Sequence, residues 1–232
     1  MQNSQIAEQD RFATGTITTS GAGSEAAAAV LRNTYRLLAM TLVFSALTAM
    51  GSAAFGLPHP GLLLTLAGYF GLLFLTSKLR NSGWGIAAVF ALTGFMGYTL
   101  GPILNVYLAM ANGSSVVATA MGGTAVVFLG MSIYARAAPV ANLPKFGTFL
   151  FVGILTAFVL GLVAVFAQMP MLSLAVSGLF ILLMSGLILY ETQNIIGGGE
   201  TNYVMATVTL FVAVFNLFTS FLHLLGFLGD DG

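Results

Sequence analysis

The sequence predicts an all-α membrane protein, a bundle of seven transmembrane helices, and three observations carry that reading. Of 232 residues, 58% are hydrophobic and only 6% are charged, with seven Lys and Arg balanced by seven Asp and Glu. An average soluble domain is about 25% charged, so too little charge is present to solvate a globular surface. The uncharged stretches fall into seven blocks, at about 37–56, 61–77, 84–109, 115–135, 147–169, 171–190 and 203–229. Each is long enough, or nearly so, to cross a hydrocarbon core as a helix. Finally, runs such as LLLTLAGYFGLLFL (62–75) lack the apolar–polar alternation of a membrane β-barrel.

The elements follow in chain order. Residues 1–31 hold Glu8, Asp10, Arg11 and Glu25 with the polar run TGTITTSGAGS (14–24) and show no apolar face. They are expected to form a flexible cytoplasmic tail, with 32–232 as the membrane domain. A signal peptide is not expected, because the first apolar run begins only near Leu37. The connectors carry breakers: Pro58 and Pro60, Asn81-Ser82-Gly83, Asn112-Gly113, Pro139 and Pro144, Pro170, then Gly197-Gly198-Gly199. Gly101-Pro102 lies inside the third block and should kink it or end its regular part.

Orientation follows from the basic residues. Arg11, Arg32 and Arg36 precede span one, Lys78 and Arg80 separate spans two and three, and Arg136 and Lys145 join spans four and five. All share one side, which the positive-inside rule places in the cytoplasm. Seven spans then put the C-terminus, Asp230-Asp231-Gly232, outside. A re-entrant last block would instead return it to the cytoplasm.

Small residues recur at helical spacing, as Gly97-x-x-x-Gly101 on span three and Gly153-x-x-x-Ala157-x-x-x-Gly161 on span five. Lipid gives helices no hydrophobic reason to associate, so these faces read as close-packing seams; a mobile glycine-lined pore is the alternative. Span seven carries a stripe, Thr209, Ala213, Asn216, Ser220 and His223, whose 4-3-4-3 spacing sets them on one face. Such a stripe should face protein or water, so span seven is expected to pack centrally. A proton or ion path along it is the alternative reading.

His223 has no partners for a metal site, and a buried neutral imidazole accepting one hydrogen bond is expected. Glu191 directly follows the apolar run of span six and is expected at or just inside the inner membrane surface. An acid there is either paired with a cation of the same side or acts as a titrating, pH-sensing gate. Glu200, in the glycine-rich loop, reads as a solvated charge. No G-x-S-x-G elbow and no paired carboxylates occur, so no enzymatic activity is expected. Without cysteine there are no thiolate metal sites, no cofactor is implied, and seven basic residues on a neutral chain argue against nucleic acid.

The strings VLRNTYRLLAMTLVFSALTA (30–49), GYTLGPILN (97–105), GGTAVVF (122–128), LYETQNIIGGGETNY (189–203) and LFVAVFNLF (210–218) together resemble the Bax inhibitor-1 family. The likeness is to its bacterial YccA-like branch, modulators of the FtsH membrane protease. It implies seven helices with the last one central, a lipid bilayer as environment and FtsH as partner. It also implies that the tail is a handle by which the protease engages the chain as a slow substrate. Several relatives form a pH-sensitive calcium leak governed by one aspartate on helix six and one on helix seven. Those positions are Glu191 and Ala213 here, so the acid pair is not intact and calcium conduction is not carried over. An ion or proton leak with weak ion binding stays as the alternative function.

Overall fold

A chain in hydrocarbon must satisfy its backbone hydrogen bonds within its own segments, and a helix does this with every residue it contains. The computed structural model describes the backbone of residues 2–137 and 140–230, and the side chains of 23–137 and 140–229. It holds seven helices: α1 (Gln2–Ala54), α2 (Leu62–Leu79), α3 (Trp84–Leu108), α4 (Gly113–Ala137), α5 (Leu143–Phe166), α6 (Pro170–Ile196) and α7 (Tyr203–Asp230). All seven are long and apolar enough to cross a membrane, α1 over Gly23–Ala54. The expected tail falls mostly on residues whose side chains lie outside the described set, as does the C-terminal end, Asp231-Gly232. Among the described residues the first buried side chain of α1 is Thr34.

The breakers end the helices by distinct means. Asn142 caps α5, its Oδ1 accepting from Lys145 N at 3.2 Å, and Pro144 stands in the first turn, where its missing N–H is harmless. Residues 143–146, expected in the connector, therefore belong to α5. Helix α6 ends in a Schellman motif: Gly199 N donates to Asn194 O at 2.9 Å and Gly198 N to Ile195 O at 3.1 Å. Gly198 takes φ +73°, a left-handed conformation that glycine adopts without strain. This terminus lies beyond Glu191, which is consequently inside the helix rather than at its end.

Helix α7 occupies the middle. From Tyr203 to Gly226 none of its residues is exposed. It packs against α1, α3, α4 and α6, while α2 leans on α3 and α5 on α6. The centre is thus enclosed by four helices rather than six, with α2 and α5 in an outer layer linked at one point by Phe70 and Phe158, ring centroids 6.1 Å apart. The core joins Leu38, Val89, Leu92, Met184, Ile188, Val208, Phe211 and Leu217. Outward positions are also apolar, among them Leu63, Phe149, Phe151, Phe166 and Leu182, as a surface in contact with lipid chains requires.

Helices α1 and α3 meet through the predicted glycine seam. A Cβ at Gly97 would fall on Thr48 Oγ1 and Ser45 O, and one at Gly101 would lie 2.5 Å from Ser52 Cβ and 2.8 Å from Ala49 O. This approach explains why Pro102 does not end α3, which continues to Leu108. Proline removes the hydrogen bond that Tyr98 O would have received, and Ser52 Oγ replaces it from α1 at 2.9 Å. Nearby, Tyr98 Oη donates to Pro58 O in the α1–α2 connector at 2.8 Å, and Asn105 Nδ2 to Ala53 O at the end of α1 at 2.9 Å. The span-five seam is likewise used for packing: a Cβ at Gly153 would lie 2.7 Å from Leu183 Cδ2, and Ala157 is fully buried.

Gly97→Ala and Gly101→Ala are each expected to destabilise the bundle by about 1–3 kcal/mol, because the added methyl meets backbone or a short side chain. Gly71→Ala, where a Cβ would meet nothing within 4 Å, is expected to be neutral or slightly stabilising. Thermal unfolding of the detergent-solubilised variants measures the difference.

Candidate functional site

A layer of buried polar residues lies at the end where α1 enters and α2, α4 and α6 finish. The local sequence explains the position of α7 there. Asn202 caps it, Oδ1 accepting from Val204 N at 3.0 Å and Met205 N at 3.1 Å. The Asn202 amide also donates through Nδ2 to Arg80 O at 3.1 Å and to Asn81 Oδ1 at 2.8 Å. One side chain therefore starts the central helix and ties it to the α2–α3 turn. Glu200 is not simply a solvated charge, because its Oε1 accepts from Asn202 N at 2.6 Å.

Glu191 is 4% exposed, and its Oε1 has no hydrogen-bond partner. Among the described residues it makes no ion pair, although Arg32, Arg36, Lys78, Arg80 and Arg136 all belong to this end. Two other buried oxygens here lack partners, Thr34 Oγ1 on α1 and Ser132 Oγ on α4. Around them the layer is well bonded. Tyr35 Oη lies 3.2 Å from Thr192 Oγ1, and Thr207 Oγ1 lies 2.7 Å from Tyr203 O, to which it donates, and 3.3 Å from Thr34 O. Gln193 Nε2 donates to Ala135 O at 3.3 Å, while its Oε1 accepts from Val140 N at 3.0 Å. Chemically, the layer offers unfilled oxygen lone pairs, so it can accept a hydrogen-bond donor such as water.

The α7 stripe is only partly a unit. Thr209 donates to Met205 O at 3.2 Å and Asn216 to Val212 O at 2.9 Å, so both turn back on their own helix instead of reaching a neighbour. Ser220 is buried, and Ala213 is fully buried in the apolar core with Met184 and Ile188. Only His223 reaches across, with Nδ1 2.8 Å from Ser177 Oγ on α6. Ser177 Oγ also lies 3.0 Å from Ser173 O. Which atom of the His223–Ser177 pair donates depends on the imidazole tautomer. His223 also lines an open cleft of about 380 Å³ at the opposite end, with Tyr107, Met110 and Phe227. Glu191 and His223 thus lie near opposite ends of the bundle and do not form one site. Among the described residues no group of three His, Cys, Asp or Glu could hold a metal.

Sequence reasoning passed over Asn202, Gln193, Thr34 and Ser132. A capping asparagine followed by an apolar run was a readable signal for the first. The others are single polar residues in apolar helices, whose facing depends on packing.

Comparison with known proteins places this arrangement among relatives. The chain matches the family Bax1-I, inhibitor of apoptosis-promoting Bax1, over residues 27–230. It is 52% identical over 203 residues to the modulator of FtsH protease YccA of Escherichia coli K12, covering 87% of this chain and 91% of that protein. The same figures hold for the inner membrane protein YccA of Escherichia coli O6:H1. A membrane protein of Vibrio cholerae is 42% identical over 203 residues, covering 87% of this chain and 91% of its own.

Two substitutions probe the site. Asn202→Ala is expected to lower stability by about 2 kcal/mol, through loss of the cap and of the tie to the α2–α3 turn. Asn202→Asp keeps the cap and loses only the amide donor, so about half the loss is expected in the same unfolding assay. Glu191→Gln removes a buried charge-bearing group without changing shape and is expected to leave the unfolding temperature unchanged or raised. A loss of about 3–5 kcal/mol would instead mean that a cation holds the carboxylate.

Proposed function

The chain belongs to the Bax1-I family of inhibitors of apoptosis-promoting Bax1, and from that premise we propose that it is an inner-membrane regulator of an FtsH-type protease. It would occupy the protease, slow the degradation of other membrane clients, and itself be a slow substrate. The observation that carries this reading is the 52% identity to a modulator of FtsH protease over nearly the whole membrane domain. The shared stretch supports a common scaffold.

The orientation belongs to the same proposal. Lys78 stands in the last turn of α2, Arg136 in that of α4 and Lys145 in the first turn of α5, at the end where Arg32 and Arg36 enter. The positive-inside rule supports a cytoplasmic N-terminus and a periplasmic C-terminus for this arrangement. Residues 1–31 would then be within reach of a cytoplasmic protease.

The leak reading draws on Glu191, a buried acid with one unpartnered oxygen. It is the weaker of the two. Where a second acid would be needed, Ala213 lies in an apolar core, so no proton can be shared between two carboxylates. Calcium flux into liposomes that is abolished by Glu191→Gln would favour the leak.

Deleting residues 4–24 is expected to lengthen the half-life of the protein in cells that contain the protease while leaving its unfolding temperature unchanged. In cells lacking the protease the intact and shortened chains should decay alike. An unchanged half-life in the presence of the protease would count against the handle, and against a cytoplasmic tail.

A further inference from the structure

The bundle carries a cleft of about 330 Å³ between α1 and the start of α7, lined by Asn33, Arg36, Leu37, Met40 and Tyr203. The α1 residues are spaced i, i+3, i+4 and i+7, so they form one face running from the basic end into the membrane. Its two polar residues come first, and the apolar pair lies a turn deeper. Arg36 and Asn33 are exposed, and among the described residues Arg36 has no ion pair or hydrogen bond. Tyr203 stands one residue after Asn202, whose amide holds the main chain of Arg80. Among the described residues no acid pairs with Arg36: Glu191 is buried, Glu25 lies on α1 eight residues before Asn33, roughly 12 Å back along the axis, and Glu200, which keeps its charge, accepts from Asn202 N. The Asn202 side chain already caps α7, so an anion here would rely on side chains and not on the helix terminus.

We infer that this cleft binds the headgroup of an anionic phospholipid, with the phosphate at Arg36 and an acyl chain along Leu37 and Met40. A guanidinium offers a planar pair of donors that matches a phosphate, and Asn33 and Tyr203 supply further polar groups at the level where tyrosine is favoured in membrane proteins. The apolar continuation selects a lipid over a free anion, since inorganic phosphate gains nothing from Leu37 and Met40. The site requires only that α1 and α7 cross the bilayer. It does not depend on the protease reading, and the tail-deletion half-life is indifferent to it.

Native mass spectrometry of the full chain in detergent, titrated with dioleoyl phosphatidylglycerol or dioleoyl phosphatidylcholine, tests the inference. Phosphatidylglycerol should bind more tightly than phosphatidylcholine. Arg36→Gln should weaken phosphatidylglycerol about fivefold, the share of one cation near a membrane surface, and weaken phosphatidylcholine less, because its choline offsets the phosphate charge. Arg36→Lys, which keeps the charge and loses the fork, should fall between, and Arg32→Gln, beside the cleft but not lining it, should change binding less than about twofold. Because Arg36 is exposed, these variants do not threaten the fold. Equal losses from Arg32→Gln and Arg36→Gln would mean a diffuse basic surface and overturn the site. Displacement of the lipid by millimolar inorganic phosphate would assign the cleft to a free anion, overturning the lipid.

Discussion

Lipid chains are as apolar as leucine, so burying a leucine against protein instead of bilayer gains little, and the architecture of this bundle follows from that constraint. What remains to hold helices together is close backbone approach and the hydrogen bonding of groups that cannot be left bare. The α1–α3 contact shows both at once. Gly97 and Gly101 let the backbones approach, and that approach brings Ser52 within 2.9 Å of the carbonyl that Pro102 leaves open. The glycine and the proline of one short string are therefore a matched pair: the proline is tolerated because the glycine has admitted a donor.

The same logic is concentrated at the basic end. Asn202 and Gln193 each serve two segments, Asn202 joining α7 to the α2–α3 turn and Gln193 joining α6 to α4 and the chain after it. Around these stitched positions Glu191, Thr34 and Ser132 keep buried oxygens without partners. A buried polar group of this kind is costly in a static core. The opposite end is built differently, with the His223–Ser177 pair, the bonds that Ser52, Tyr98 and Asn105 make between α3 and α1 or the connector after it, and an open cleft. The two ends of the central helix thus differ in chemistry, a feature expected of a membrane protein whose two faces meet different partners.

Ala213 separates this chain from an acid-pair gate more clearly in the structure than in the sequence. As a string position it is a missing carboxylate. In the bundle it is part of a packed apolar layer with Met184, Ile188 and Phe211, so a second carboxylate there would also displace packing. With the close likeness to a protease modulator, a regulatory role fits these residues better than conduction does.

The number of spans, their approximate limits and the basic end were legible in the sequence, because apolar length, breakers and charge act locally and leave a direct mark on it. The glycine seams were legible for the same reason, and the α7 cap left a signal of the same kind that the sequence reading passed over. What tertiary structure decided was the enclosure of α7 by four helices with α2 and α5 outside, the extension of α6 past Glu191, and the division of the α7 stripe. Hydropathy is silent on these points: protein-facing and lipid-facing sides of a membrane helix are both apolar, so the polar stripe marked α7 as central without saying which helices enclose it. Thr209 and Asn216 share a face with His223, yet only His223 finds a partner, Ser177, because hydrogen bonding to a neighbour requires a donor and acceptor brought together from distant parts of the chain.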